Sequence, residues 1–310
     1  MRRTLSVVAL AAVLVLAGGA RAFAQAQAPP ASWSATDCQT CHDKALSPSF
    51  TRSEHAGLDQ SCAACHQNVD EHFKAQSAGD ANAPVPSLKK LKAQQVNAIC
   101  LSCHEKGSQA NYASSMHDRR NIACTSCHSV HTFASATAQL KTKIDSDTCY
   151  TCHKSERAKS MRTSHHPVRE GKVSCVSCHN PHDGSQPKML KADSVNELCY
   201  TCHTEKRGPF LFEHAPVRED CVSCHEPHGT NHKRLLVNKL PNLCWNCHLT
   251  GSGHFGSGDN LSTEKGVPVA PAGSPSGYPT VNSRFIEKNC KNCHAAIHGS
   301  NSPSGAYFAR

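Results

Sequence analysis

Apolar side chains crowd the start of this chain and thin out behind it. The opening MRRTLSVVALAAVLVLAGGARAFAQA sets an apolar run from Leu5 to Leu16 behind Arg2 and Arg3, then small residues around Ala22-Phe23-Ala24. That layout predicts a secretory signal peptide over residues 1–24 and an exported mature chain over 25–310. The run is short for a membrane span, and no later segment offers the ~18 apolar residues a crossing helix needs. The rest predicts short helices at recurring cysteine motifs, with loops between them. Two longer intervals break the rhythm. Phe73 to Ala98, with APVPSLKKLKAQQ, reads as a linker followed by a short helix. Leu249 to Arg284, rich in Gly, Ser and Pro, reads as an irregular loop.

Composition explains why the helices must be short. Phe, Tyr and Trp make up 5% of 310 residues, too few to fill a core of this size. The twenty cysteines suggest what fills it instead. Each falls in one of ten CxxCH pentapeptides: Cys38, Cys41 and His42; Cys62, Cys65 and His66; Cys100, Cys103 and His104; Cys124, Cys127 and His128; Cys149, Cys152 and His153. The second half continues with Cys175, Cys178 and His179; Cys199, Cys202 and His203; Cys221, Cys224 and His225; Cys244, Cys247 and His248; Cys290, Cys293 and His294. CxxCH is the attachment signature of c-type haem. On one helical turn, two thiols three residues apart face the same way and can each bond one porphyrin, while the next imidazole reaches its iron. A zinc site or a redox dithiol needs no histidine behind every cysteine pair. Ten covalent c-type haems are therefore expected, with a multihaem cytochrome c fold of little regular secondary structure: short helices and loops wrapped around a row of haems.

Twenty-two histidines less the ten in motifs leave twelve. Taking the motifs as five successive pairs, one free histidine lies between the two motifs of each pair and another follows the second. The first group is His55, His117, His165 (or His166), His214 and His254, and the second is His72, His131, His182, His228 and His298. These ten are the expected distal ligands. His165 is preferred over His166 because it aligns with His214, and His232 is spare. The five dihaem units span about 38–72, 100–131, 149–182, 199–228 and 244–298, and their first cysteines recur at 49, 50 and 45 residues from Cys100 onward. Such short repeats usually stack in a row.

Reach limits the ligand assignment. Two imidazoles on opposite faces of one iron hold their Cα atoms roughly 12 to 13 Å apart, whereas three residues span at most about 10 to 11 Å. His179 and His182 cannot share an iron, nor can His128 and His131 or His225 and His228. The simplest expectation gives each trailing histidine to the first haem of its own pair, and each preceding one, such as His117, to the second. With both axial positions filled there is no open iron for a substrate. A multihaem reductase would need one, and the lysine variant CxxCK is absent.

The formal charge of +9 does not indicate a nucleic-acid partner. Loss of Arg2, Arg3 and Arg21 with the leader lowers it to +6, and each bis-histidine ferric haem with two ionised propionates adds about one negative charge.

The motif set, "HHPVREGKVSCVSCHNPH" and the C-terminal "CKNCHAAIHGSNSPSG" resemble the periplasmic decahaem cytochromes of the MtrA and DmsE type. The resemblance implies bis-histidine ligation and a single-file haem wire. It also implies insertion in a porin-like outer-membrane β-barrel, passing electrons between periplasmic or inner-membrane cytochromes and an extracellular cytochrome or reductase. The expected role is electron transfer, not enzymatic catalysis.

Overall fold

The structure, a computed structural model, describes residues 33–45, 47–58, 62–80, 82, 87–248 and 289–309. The leader, the interval Leu249 to Arg284 and His254 lie outside them. Among the described residues the longest helices, Val69–Ser77 and Ala93–Leu101, have nine residues each. No strand forms among the described residues, and backbone pairing between distant segments is limited to isolated bridges. No helix among the described residues is long and apolar enough to cross a membrane. The interval after Phe73 holds the end of the first of these helices, a 3₁₀ turn at Leu88–Lys90 and the start of the second.

The motifs build the local structure. In nine of the ten, the histidine N–H donates to the carbonyl of the first cysteine at 2.8–3.1 Å, closing one α-turn; the tenth, Cys244 to His248, lies inside the helix Asn242–His248. First motifs of the units sit at the ends of helices such as Asp145–Tyr150 and Val195–Tyr200. The latter is capped by the Ser194 hydroxyl, which accepts from the Glu197 N–H, and acidic side chains in both first turns suit the positive end of the helix. Second motifs are bare turns, Cys124–Cys127 and Cys175–Cys178 among them.

A buried asparagine ties each first motif to its partner in two units. Asn97 Nδ2 donates to the Ile122 carbonyl at 3.1 Å and its Oδ1 accepts from the Cys124 N–H at 2.8 Å. Asn196 donates to the Val217 and Arg218 carbonyls and accepts from the Cys221 N–H at 2.8 Å. This accounts for the echo between "NAIC" and "NELC". First cysteines of a unit consequently come within hydrogen-bonding reach of one another: Cys100 with Cys124, Cys149 with Cys175, Cys199 with Cys221 and Cys244 with Cys290.

Between units, the other cysteines come within electrostatic range of one another. Cys65 approaches Cys100 and Cys103, Cys127 approaches Cys152, Cys178 approaches Cys202, and Cys224 approaches Cys247. The motifs thus follow one another in space in the order of the sequence, a close approach within each unit alternating with a longer-range one between units. None of the twenty cysteines is in a disulfide.

Glycine makes the junctions close. Gly229, at φ +136°, brings its backbone so near the Lys159 carbonyl that a Cβ would stand 2.2 Å from the oxygen, and the Ser164–Thr230 bridge lies beside it. Gly299, at φ +137°, meets Phe210 in the same way next to the Phe212–Ser300 bridge. In both places the segment between the motifs of one unit is laid against the segment behind the second motif of the next.

The buried apolar side chains among the described residues are Trp33, Phe50, Val69, Val96, Tyr112, Met189 and Phe308. Three of them back an imidazole: Phe50 against His131, Tyr112 against His182 and Phe308 against His214. The sparse core supports the histidines more than it supports itself.

Candidate functional site

Nine motif histidines each face one non-motif histidine. The ring centroids are 6.0 Å apart in His42–His72, His66–His131 and His214–His248, and 5.9 Å in His55–His104 and His128–His182. They are 6.1 Å apart in His179–His228 and His225–His298, and 6.3 Å in His117–His153 and His166–His203. Two imidazoles bonded at about 2 Å to opposite sides of one iron have centroids roughly 6 Å apart. Packed aromatic rings span about 4.5 to 7 Å, so one such pair would mean little. Nine pairs within 0.4 Å of each other, each joining a motif residue to a non-motif one, fit a bis-histidine haem centre.

The ring nitrogens are set for the same purpose. Nδ1 of His128, His179 and His225 lies 2.6–2.9 Å from the carbonyls of Ala138, Lys188 and Arg234, nine or ten residues further on. Those carbonyls belong to turns with successive left-handed residues, at Ala138 and Gln139, Lys188 and Met189, and Arg234 and Leu235. Three repeats keep this conformation, costly for residues with a Cβ, and it brings the carbonyl back to the ring. On the other side, Nδ1 of His131, His117 and His166 meets the carbonyls of Ala45, Pro181 and Pro227 at 2.8–3.0 Å. A ring donating Nδ1–H to a carbonyl presents an unprotonated Nε2, as metal ligation requires. Burial also holds His55, His182, His214, His225 and His228 below the ordinary histidine pKa, and burial together with Lys206 carries His298 down to about 4.

Three expectations need correction. His165 does not face His203. Its Nδ1 lies 2.6 Å from the Arg162 carbonyl and its Nε2 3.1 Å from Glu170, while His166 takes the facing position. Alignment with His214 misled because the two adjacent rings go to different partners, Nδ1 of His165 to the Arg162 carbonyl and Nδ1 of His166 to the Pro227 carbonyl, so one residue of register exchanges them.

The second correction concerns the trailing histidines. His131, His182, His228 and His298 face the second motif of the preceding unit, not the first of their own. Only His72 faces its own first motif, having no earlier unit to reach. Thirdly, His55, His117, His166 and His214 face the first motif of the following unit, so His117 is paired with His153 and not with His128. Motif turns leave the chain pointing toward its neighbour, and the glycine junctions hold the two segments in contact there. His254 falls outside the described residues.

Several supporting residues escaped the sequence reading. The carbonyls of Pro181 and Pro227, the left-handed turns, Asn97 and Asn196 were not singled out; the echoes "CHNPH", "CHEPH" and "NELC" were the available signal.

Comparison with known proteins gives the same chemistry. A doubled CXXCH motif family matches residues 165–208 and 214–252, and a cytochrome c-type protein NrfB-like family matches residues 62–145. Multiheme cytochrome MtrA of Shewanella baltica (strain OS185) is 34% identical over 288 residues, covering 89% of this chain and 81% of the relative. The chain belongs to the MtrA family of multihaem cytochromes. In this MtrA-family chain c-type haem is the cofactor and electron transfer is the activity. The cysteine pairs of each motif are placed to hold a haem covalently, and its iron supplies the one-electron couple. The protein's part would be to hold a facing pair of imidazoles at each haem and to keep successive motifs near one another.

Proposed function

We propose that this chain is a decahaem electron conduit, exported to the periplasm and inserted in a porin-like outer-membrane β-barrel. It joins periplasmic or inner-membrane cytochromes to an extracellular cytochrome or reductase. Ten c-type haems are held by the ten cysteine pairs, each with a motif histidine on one face and a non-motif histidine on the other. The nine facing ring pairs supply nine of these ligand sets. For the tenth, the His294 haem, we assign His254 from the sequence alone, since the other nine motif histidines already face a ring.

The observation that carries the reading is this dovetailing. Each of the three middle units lends one histidine forward and one back, the first lends His55 forward and the last lends His298 back, an arrangement that would lock neighbouring haems at fixed separation and leave no iron an open position. A carrier built this way passes electrons along its length. The barrel rests on a physical argument and on resemblance: a backbone with so little regular structure could lie at membrane depth only inside a partner that shields it.

Two measurements test the proposal. Mass spectrometry of the purified chain should give ten covalent haems, and membranes solubilised in mild detergent should yield the cytochrome bound to an outer-membrane barrel protein. Reconstituted in vesicles, that complex should let an internal reductant reduce an external, membrane-impermeant acceptor. Chain recovered wholly free of membranes would overturn the barrel and leave a soluble periplasmic shuttle. Ready uptake of carbon monoxide on reduction would overturn the closed-iron reading.

A further inference from the structure

The charge around His228 differs from that around its repeat equivalents. Positions 129, 180 and 226 correspond in the three units reading CHSVH, CHNPH and CHEPH, and hold Ser, Asn and Glu. At 180 and 226 the side chain does the same structural work. Asn180 Oδ1 accepts from the His182 N–H at 3.2 Å, and Glu226 Oε1 accepts from the His228 N–H at 3.3 Å. Only Glu226 adds a charge. The same Oε1 stands 3.3 Å from His228 Nδ1, whereas His117, His131 and His166 meet neutral backbone carbonyls.

The setting limits how far that charge is felt. Lys159 donates to Glu226 Oε2 at 3.0 Å, and Glu156 lies 4.0 Å from Lys159, so the three leave one net negative charge beside the ring. The Glu226 side chain is 27% exposed. Another carboxylate near a facing ring, Glu205 beside His203, is farther off at 4.0 Å and 60% exposed, so water screens it.

We propose that Glu226, acting through His228, lowers the reduction potential of the haem carried by Cys175 and Cys178, with Lys159 as its counterweight. This rests on the reading that His179 and His228 are that haem's axial pair. A carboxylate against an axial imidazole makes the ligand more electron-rich and favours the ferric state, which carries one more positive charge than the ferrous. Interaction between charges at this range survives at the effective dielectric of a partly buried site. Glu226 is a positioning and tuning residue that never touches the haem iron. The placement would set a low-potential step in the middle of the haem series, where the equivalent unit with Asn180 has none.

The test uses the full holoprotein and a redox titration followed by optical and electron paramagnetic resonance spectra. Glu226→Asn keeps the backbone contact that Asn180 makes and removes the charge. One haem's share of the signal should move to higher potential by at least about threefold in its reduction equilibrium, about 28 mV on a scale where tenfold is about 59 mV for one electron. Lys159→Met, which leaves the turn untouched, should move the same share downward. A Glu226→Asn protein titrating like the parent, or both variants shifting one way, overturns the inference. His228→Ala separates the two levels. If it yields one high-spin haem while Glu226→Asn shifts nothing, only the tuning role fails; if it yields none, the ligand assignment falls and the inference with it.

Discussion

Replacing His166 by alanine, beside the same change at His165, is the most direct probe of how the units interlock. His166 faces His203 at 6.3 Å, with Nδ1 fixed by the Pro227 carbonyl at 2.8 Å. Its removal takes away one axial imidazole of one haem, so one ferric haem among the ten motifs' worth should turn high-spin and bind carbon monoxide when reduced. His165 holds no such place. Of its two contacts, the hydrogen bond to the Arg162 carbonyl is worth about 0.5–1.5 kcal/mol, and the one to Glu170, whose carboxylate is 40% exposed, is screened by water. His165→Ala should therefore cost about 0.5–1.5 kcal/mol in stability and leave every haem low-spin. Electron paramagnetic resonance of the oxidised proteins reads the spin state, and thermal unfolding reads the stability. A low-spin His166→Ala protein, or a high-spin His165→Ala protein, would refute the assignment, since His165 could substitute only by giving up both its bonds.

Other changes probe the framework. Gly229→Ala would put a Cβ 2.2 Å from the Lys159 carbonyl at a φ of +136°, so the junction between the third and fourth units must open; a loss of at least about 2 kcal/mol is expected, seen as a lower unfolding temperature and faster amide exchange around Ser164 and Thr230. Asn196→Ala removes two donated bonds and the acceptor for the Cys221 N–H in a buried site, for about 2–4 kcal/mol by chemical denaturation, and Asn97→Ala should behave alike. Trp33→Ala deletes a buried ring whose Nε1 donates to Asp70 at 2.6 Å, so amide protection of the helix Val69–Ser77, which carries His72, should fall while that of Val195–Tyr200 stays unchanged.

The sequence alone determined everything that is local. A CxxCH pentapeptide closes a single turn, so the ten motif turns, the candidate haem-attachment cysteines within them and the shortness of the helices were legible directly. The reach of three residues was enough to separate His179 from His182. Facing partners, however, lie 30 to 73 residues apart, as in His42–His72 and His225–His298, and many loop paths satisfy such separations equally well. Only the tertiary structure chose among them. Left-handed turns, glycine junctions and asparagine cross-links aim each segment at the neighbouring unit, and one residue of register at His165 and His166 decides which ring arrives. The choice is made by backbone direction at contact points between units, and residue spacing does not encode that direction.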